Sequence, residues 1–231
     1  MIAISGLSRS FGPIRAVDRL SLDLARGESL ALFGPNGAGK TTLIRLLTLG
    51  LRPSAGSLRI DGLDPAREEL EIRRRIGLIS HQSFLYDDLT ARQNLEFFCR
   101  LYGVSEPRRR ACELLETVEM QHRADDAVRT LSRGLQQRLS LVRALVHEPR
   151  IIFLDEPFTG LDPRASRSFQ ETLARQRAEG RTIVMATHDL ARGLELSDRW
   201  VIMNRGRIAE RGSSDGTEAA ALERLGLWRA S

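Results

Sequence analysis

At 231 residues the chain is long enough for one large domain or two modest lobes, with a core that needs no disulfide or metal to hold it. Apolar residues make up 42% and charged residues 28%, ordinary globular values, and no uncharged apolar run nears the ~20 residues that cross a bilayer. The net charge of +5 comes from 35 basic and 30 acidic residues that are intermixed, and the runs Arg73–Arg75 and Arg108–Arg110 have no aromatics between them to stack bases, so direct nucleic-acid binding is not expected.

The start, MIAISGLSRSFG, lacks the basic residues and long apolar centre of a secretory signal. Cys99 and Cys112 have no metal-like spacing. A cytosolic chain with reduced thiols is the expectation. In the first third, IAISGL, LSLDL, SLALFG and SLRIDG read as short strands broken by turns, the second and fourth alternating as half-buried strands do. SLALFG runs into a glycine-rich loop, after which TTLIRLLTLGL carries Leu43, Leu46 and Leu47 at helical spacing.

Next, Thr90 and Gln93 have capping-box spacing at the head of LTARQNLEFFCRLYG, with Leu95, Phe98 and Leu101 marking one face and Gly103 ending the helix. Helical signals continue to about His147. The last third alternates: IIFLDEP strand, PRASRSFQETLARQRAEG helix, TIVMAT strand, DLARGLEL helix, then the strands WVIMN and RIAERG. A helical insert thus interrupts an α/β domain with a buried parallel sheet.

Two stretches carry chemistry. Gly34-Pro35-Asn36-Gly37-Ala38-Gly39-Lys40-Thr41-Thr42 has the spacing of a phosphate-binding loop. Glycines let backbone N–H groups turn toward phosphate oxygens, the helix N-terminus adds its dipole, Thr41 offers a hydroxyl to Mg²⁺ and Thr42 a further donor. Lys40 is the chain's one lysine, beside 34 arginines. IIFLDEP delivers Asp155 and Glu156 at a strand's carboxyl end, where parallel sheets place ligands: Asp155 suits Mg²⁺ and Glu156 an attacking water.

Together with LSRGLQQR (131–138), these stretches resemble the nucleotide-binding subunit of an ATP-binding cassette transporter, over nearly the whole chain. The resemblance implies a P-loop NTPase core with a mostly parallel sheet, an N-terminal antiparallel β subdomain and an inserted helical subdomain. One ATPase domain would span 1–212, its helical part at about 84–147, with a short helical tail at 213–231. ATP and Mg²⁺ are the implied cofactors. Each ATP would be sandwiched between the phosphate loop of one copy and the Ser132 and Gly134 of a second copy. Arg133 and Leu135 depart from the family's usual Leu-Ser-Gly-Gly-Gln.

By the same resemblance Phe11 stacks on adenine, Gln82 links Mg²⁺ and water to the helical subdomain, Asp162 lies in the loop crossing the dimer interface, and His188 touches the γ-phosphate. Lys40, Gln82, Glu156 and His188 form the implied catalytic set, and Thr41, Gln82 and Asp155 the metal set. The implied function is an ATPase that drives export through a separate transmembrane permease, bound peripherally at the cytoplasmic face near Gln82 and SFLYDDL. LSRGLQQRLSLVRALVHEP, LYDDLTARQNLEFFCRLYGV and ATHDLARGLELSDR look most like the haem exporter of cytochrome c biogenesis, with a drug or lipid exporter as the alternative. A cassette protein acting on ribosomes or DNA is a lesser reading, because such relatives usually carry two cassettes or a coiled-coil insert.

Overall fold

The computed structural model describes residues 1–80 and 83–214. The chain opens with a hairpin, β1 (Ile2–Phe11) and β2 (Ile14–Leu24), followed by β3 (Ser29–Phe33), whose five residues are all buried. The glycine-rich loop leads into α1 (Lys40–Leu47), and β4 (Ala55–Ile60) returns to pair with β1. These outer strands form an antiparallel sheet in the order β2-β1-β4. Next come α2 (Glu69–Arg73), β5 (Ile76–Ile79), α3 (Ala91–Leu101), α4 (Pro107–Thr117) and α5 (Arg133–Ala144). The alternating end of the chain supplies β6 (Ile151–Asp155), α6 (Pro163–Ala178), β7 (Thr182–Ala186), α7 (Leu190–Glu195), β8 (Arg199–Asn204) and β9 (Arg207–Ser213).

The second sheet runs β5-β6-β7-β3-β8-β9 and is parallel except for the final pair. Its central strands β6, β7 and β3 are buried on both faces, whereas the edge strand β9 is mostly exposed, and alternate residues of the central strands feed two cores. Ile151, Phe153, Val184 and Ala186 pack with Leu43, Leu46 and Leu47 of α1 and with Leu7 and Val17 of the antiparallel sheet. Ile152, Leu154, Ile183 and Met185 face the other way, onto Phe169 and Leu173 of α6 and Leu139 and Val142 of α5. This is the expected P-loop NTPase architecture.

Several details differ from the sequence reading. β5 and α2 were not expected; IGLI is too short to show a period, and its burial comes from pairing with β6. The helical stretch is α3, which stops just before Gly103 as expected, followed by α4 and α5. In α3 the capping box at Thr90 and Gln93 forms, but the buried positions are Ala91, Asn94, Leu95 and Cys99, while Leu101 is 65% exposed. Asn94 replaces an apolar contact with four bonds: its Oδ1 accepts from Tyr86 N, and its Nδ2 donates to the carbonyls of Tyr86, Leu89 and Thr90. Gln82 and residues 215–231 of the expected tail lie outside the described residues, and Ser213 belongs to β9.

The helical segment is tied to β5 by two buried cations or potential cations. Arg143 donates to Leu78 O at 2.6 Å, and burial lowers its pKa to about 10. His147 stacks on Tyr102, centroids 3.8 Å apart, and its Nε2 meets Ile76 O at 2.9 Å. Burial lowers the His147 pKa to about 4, with Arg143 and Arg181 adding to the shift and the Ile76 carbonyl opposing it. Above its unfolded pKa of ~6.5 the ring is neutral in both states. As pH falls below that, the unfolded chain takes the proton first, so stability drops until about pH 4. Between pH 7 and pH 5 the loss assigned to His147 is about 2 kcal/mol. Urea titrations at both pH values should show His147→Gln losing less stability than the parent chain on acidification. Equal losses would assign the acid sensitivity to other groups.

Candidate functional site

Everything at the site hangs from the carboxyl edge of the central strands. β3 ends at Phe33 and the chain turns at once into the loop, where two positions have no room for a side chain. Gly34 has φ 140°, and a Cβ there would lie 2.3 Å from Met203 O. Gly39 has φ 103°, and its Cβ would lie 2.2 Å from Ala16 O. Pro35, Asn36 and Gly37 form the exposed crest, and Ala38 tucks its methyl inside. Gly39 is the N-cap of α1 and has no side chain to cap it, so the N–H groups of the first turn, from Lys40 to Thr42, have the disposition of an anion site.

The Lys40 ammonium donates to Gly34 O at 2.7 Å and Pro35 O at 3.2 Å, closing the loop on itself. Burial pushes its pKa below the ordinary lysine value, and the carboxylates of Glu156 and Asp155 pull the other way. One residue on, Thr41 Oγ1 donates to Asp155 Oδ1 at 3.0 Å. Asp155 ends β6 and is almost fully buried.

Glu156 follows with φ 51°, a left-handed conformation rare for a non-glycine residue. Its N–H donates to Ala186 O at 2.9 Å, fixing the turn to β7. The twist sends consecutive carboxylates to different partners: Asp155 to Thr41, Glu156 to His188. The Glu156 Oε2–His188 Nδ1 distance is 2.7 Å, and the His188 side chain is 68% exposed while Glu156 is mostly covered. Lys40, Thr41, Asp155, Glu156 and His188 are therefore brought together from three strand ends.

A hydroxyl and a carboxylate 3.0 Å apart are hard oxygen donors of the kind Mg²⁺ takes. Among the described residues no group of three or more His, Cys, Asp or Glu converges. That sparse donor set suits an ion that keeps waters and phosphate oxygens as its other ligands.

Other sequence-picked residues lie apart from this group. Ser132 caps α5 and its Oγ accepts from Leu135 N at 3.4 Å. A Cβ on Gly134 would meet Asp162 Oδ2 and Ala165, not the loop. Asp162 caps α6, accepting from Ala165 N at 2.8 Å. So Ser132, Gly134 and Asp162 form a second exposed cluster at two helix N-termini, and Arg133 is exposed beside them. Phe11 ends β1 with its ring beneath the Arg9 guanidinium. Sequence reasoning missed Arg9, and also Gln137, whose Nε2 donates to Pro157 O at 3.1 Å just past the acidic pair. In the sequence, only the LQQR run (135–138) carries any signal for Gln137.

The family model described as "ABC transporter" matches residues 17–159. The chain is 40% identical over 220 residues to a daunorubicin resistance ATP-binding protein of Streptomyces coeruleorubidus, covering 94% of this chain and 70% of that protein. It is also 40% identical over 212 residues to the Nod factor export ATP-binding protein I of Paraburkholderia xenovorans, covering 90% and 70%. A dimeric ATP-binding cassette in a post-hydrolysis state, bound to ADP and Pi, superposes with a TM-score of 0.84 at 27% identity, covering 94% of this chain and all of the other.

Because the fold disfavours a charged group at position 40, Lys40→Met is expected to raise the urea midpoint of the chain. A lower midpoint would mean that the two carbonyl bonds outweigh the burial of the ammonium.

Proposed function

Since this chain belongs to the ABC transporter family of ATP-binding proteins, we propose that it binds and hydrolyses ATP to drive a separate permease that exports drug-like compounds. The observation that carries the reading is the pairing of Thr41 with Asp155 and of Glu156 with His188, side by side next to the loop. The loop N–H groups, the α1 N-terminus and Lys40 would hold the triphosphate. Lys40 would exchange its two carbonyl partners for phosphate oxygens. Thr41 and Asp155 would hold Mg²⁺, with Gln82 as a further contact. The ion, when bound, neutralises charge on the phosphate oxygens.

Glu156 would orient the attacking water and accept its proton. Its bond to His188 sets the ring's orientation, and His188 would contact the γ-phosphate. Phosphoryl transfer needs positioning and charge neutralisation more than covalent help, and these residues supply both. Phe11 would stack on the adenine. Ser132, Gly134 and Asp162, clustered apart from the loop, would complete the site across a dimer, each copy lending them to the other's ATP. The dimeric likeness supports that reading.

For the transported compound, drug-like molecules have more behind them than haem. The relatives at 40% identity are named for daunorubicin resistance and Nod factor export. Among the described residues no helix is long and apolar enough to cross a membrane. A permease docked at the membrane face would carry the compound. Recovery of a cytochrome-maturation permease with the chain from detergent-solubilised membranes would favour haem instead.

Glu156→Gln is expected to lower steady-state ATP hydrolysis at least ~100-fold while ATP binding persists and the dimer becomes detectable by gel filtration. Hydrolysis at the parent rate would remove Glu156 from the water-activating role. Lys40→Arg keeps the charge but should weaken ATP binding in calorimetric titration, because a planar fork replaces a compact ammonium. Parent-like affinity would show that the loop tolerates either cation.

A further inference from the structure

Phe11 ends β1 with 45% of its surface exposed. Arg9 lies two residues earlier, on the same side of the strand, since strand side chains alternate. Its guanidinium sits over the ring, 4.7 Å from the centroid. The cation is not loose on the surface. Arg9 Nη1 donates to Arg52 O at 3.0 Å, and Arg9 Nε is buried with no hydrogen-bond partner. The segment that supplies the carbonyl is itself fastened to β1: Ser54 N donates to Ser8 O at 2.7 Å, and Ser10 N to Ser54 Oγ at 3.2 Å. Arg9 is thus wedged between a fixed carbonyl and the Phe11 ring.

The same hairpin reaches the phosphate loop. Phe11 pairs with Ile14 at the end of β1 and β2, and two residues further along β2 the carbonyl of Ala16 closes over Gly39. The hairpin that carries the ring is therefore packed directly against the loop.

We propose that Arg9 is a positioning residue for the nucleobase, holding one face of Phe11 so that the other is presented to adenine. The inference rests on the reading of Phe11 as the adenine platform and adds to it the group that sets the platform. A phenylalanine at an exposed strand end can change between side-chain rotamers, and fixing one beforehand removes an ordering cost from binding. A cation on one face also draws π density toward itself. The opposite face then repels a stacked ring less.

Calorimetric titration of the full chain with ATP, and separately with inorganic tripolyphosphate, tests this. Arg9→Ala should weaken ATP binding about three- to tenfold and leave tripolyphosphate binding unchanged. Arg9→Lys, which can still sit over the ring, should restore part of the loss. Adding Arg9→Ala to Phe11→Ala should change the ATP affinity by less than about twofold, because the ring to be positioned is gone. Equal losses for both ligands, or fully multiplicative losses in the double variant, would overturn the proposal in favour of a general structural role. If Phe11→Ala weakens ATP and Arg9→Ala does not, the Arg9 inference fails alone. If Phe11→Ala leaves ATP affinity unchanged, the platform reading fails and the Arg9 role with it.

Discussion

Ala186 on β7 lies level with Leu32 on β3 and with Asp155 on β6. That shared register decides where the next residues of three distant segments emerge. One step beyond it come Phe33 and the loop, Glu156, and Thr187 with His188. A slip of one residue in β6 would turn Asp155 toward the opposite face and take Thr41's partner away. The alternation that feeds Ile151 and Phe153 to one core and Ile152 and Leu154 to the other resists such a slip, since every buried side chain would have to change sides. The cores therefore hold the site's geometry although they touch none of its chemistry.

Against that rigid frame, the site itself is locally unfavourable. A lysine is desolvated, a glutamate sits in a left-handed conformation, and two glycines occupy backbone positions that exclude any Cβ. Such features persist only where surrounding structure over-determines them. Here the Glu156 amide is bonded to Ala186, and the loop is packed against Met203 and Ala16. Concentrating strain between stiff strands keeps donors aimed before any ligand arrives, which is the condition for electrostatic stabilisation to act without reorganisation.

The loop and the acidic pair were legible in the sequence because their chemistry demands fixed residue types at fixed spacing beside an apolar strand. Their mutual distances were not, since nothing local says that Asp155 lands beside Thr41. The sequence was weakest where a residue's environment is supplied from far along the chain. Arg9 looks like a surface arginine until the carbonyl of Arg52 is placed beside it. β5 is only four residues long and becomes a strand through β6. In α3 the apolar spacing pointed to Leu101, whereas the helix buries Asn94, whose amide organises the turn from Tyr86 to Thr90. Helical periodicity marks an apolar stripe, but not which end of that stripe runs out of partners.

The solitary lysine occupies a confined place. Lys40 Nζ stands between two carbonyls of its own loop, at 2.7 Å and 3.2 Å, and the nearer belongs to Gly34, whose backbone is hemmed in by Met203. A guanidinium would bring five donors in one plane to a place that offers two acceptors, and it is broader than the gap. Elsewhere among the described residues, arginines bridge separate elements, where a wide fork with several donors is an advantage: Arg75 spans Glu71 and Asp61, and Arg207 reaches Asp18 from another strand. An arginine-rich composition can therefore serve nearly all of this fold. The exception is Lys40, where the cation sits between two backbone carbonyls of a single tight loop.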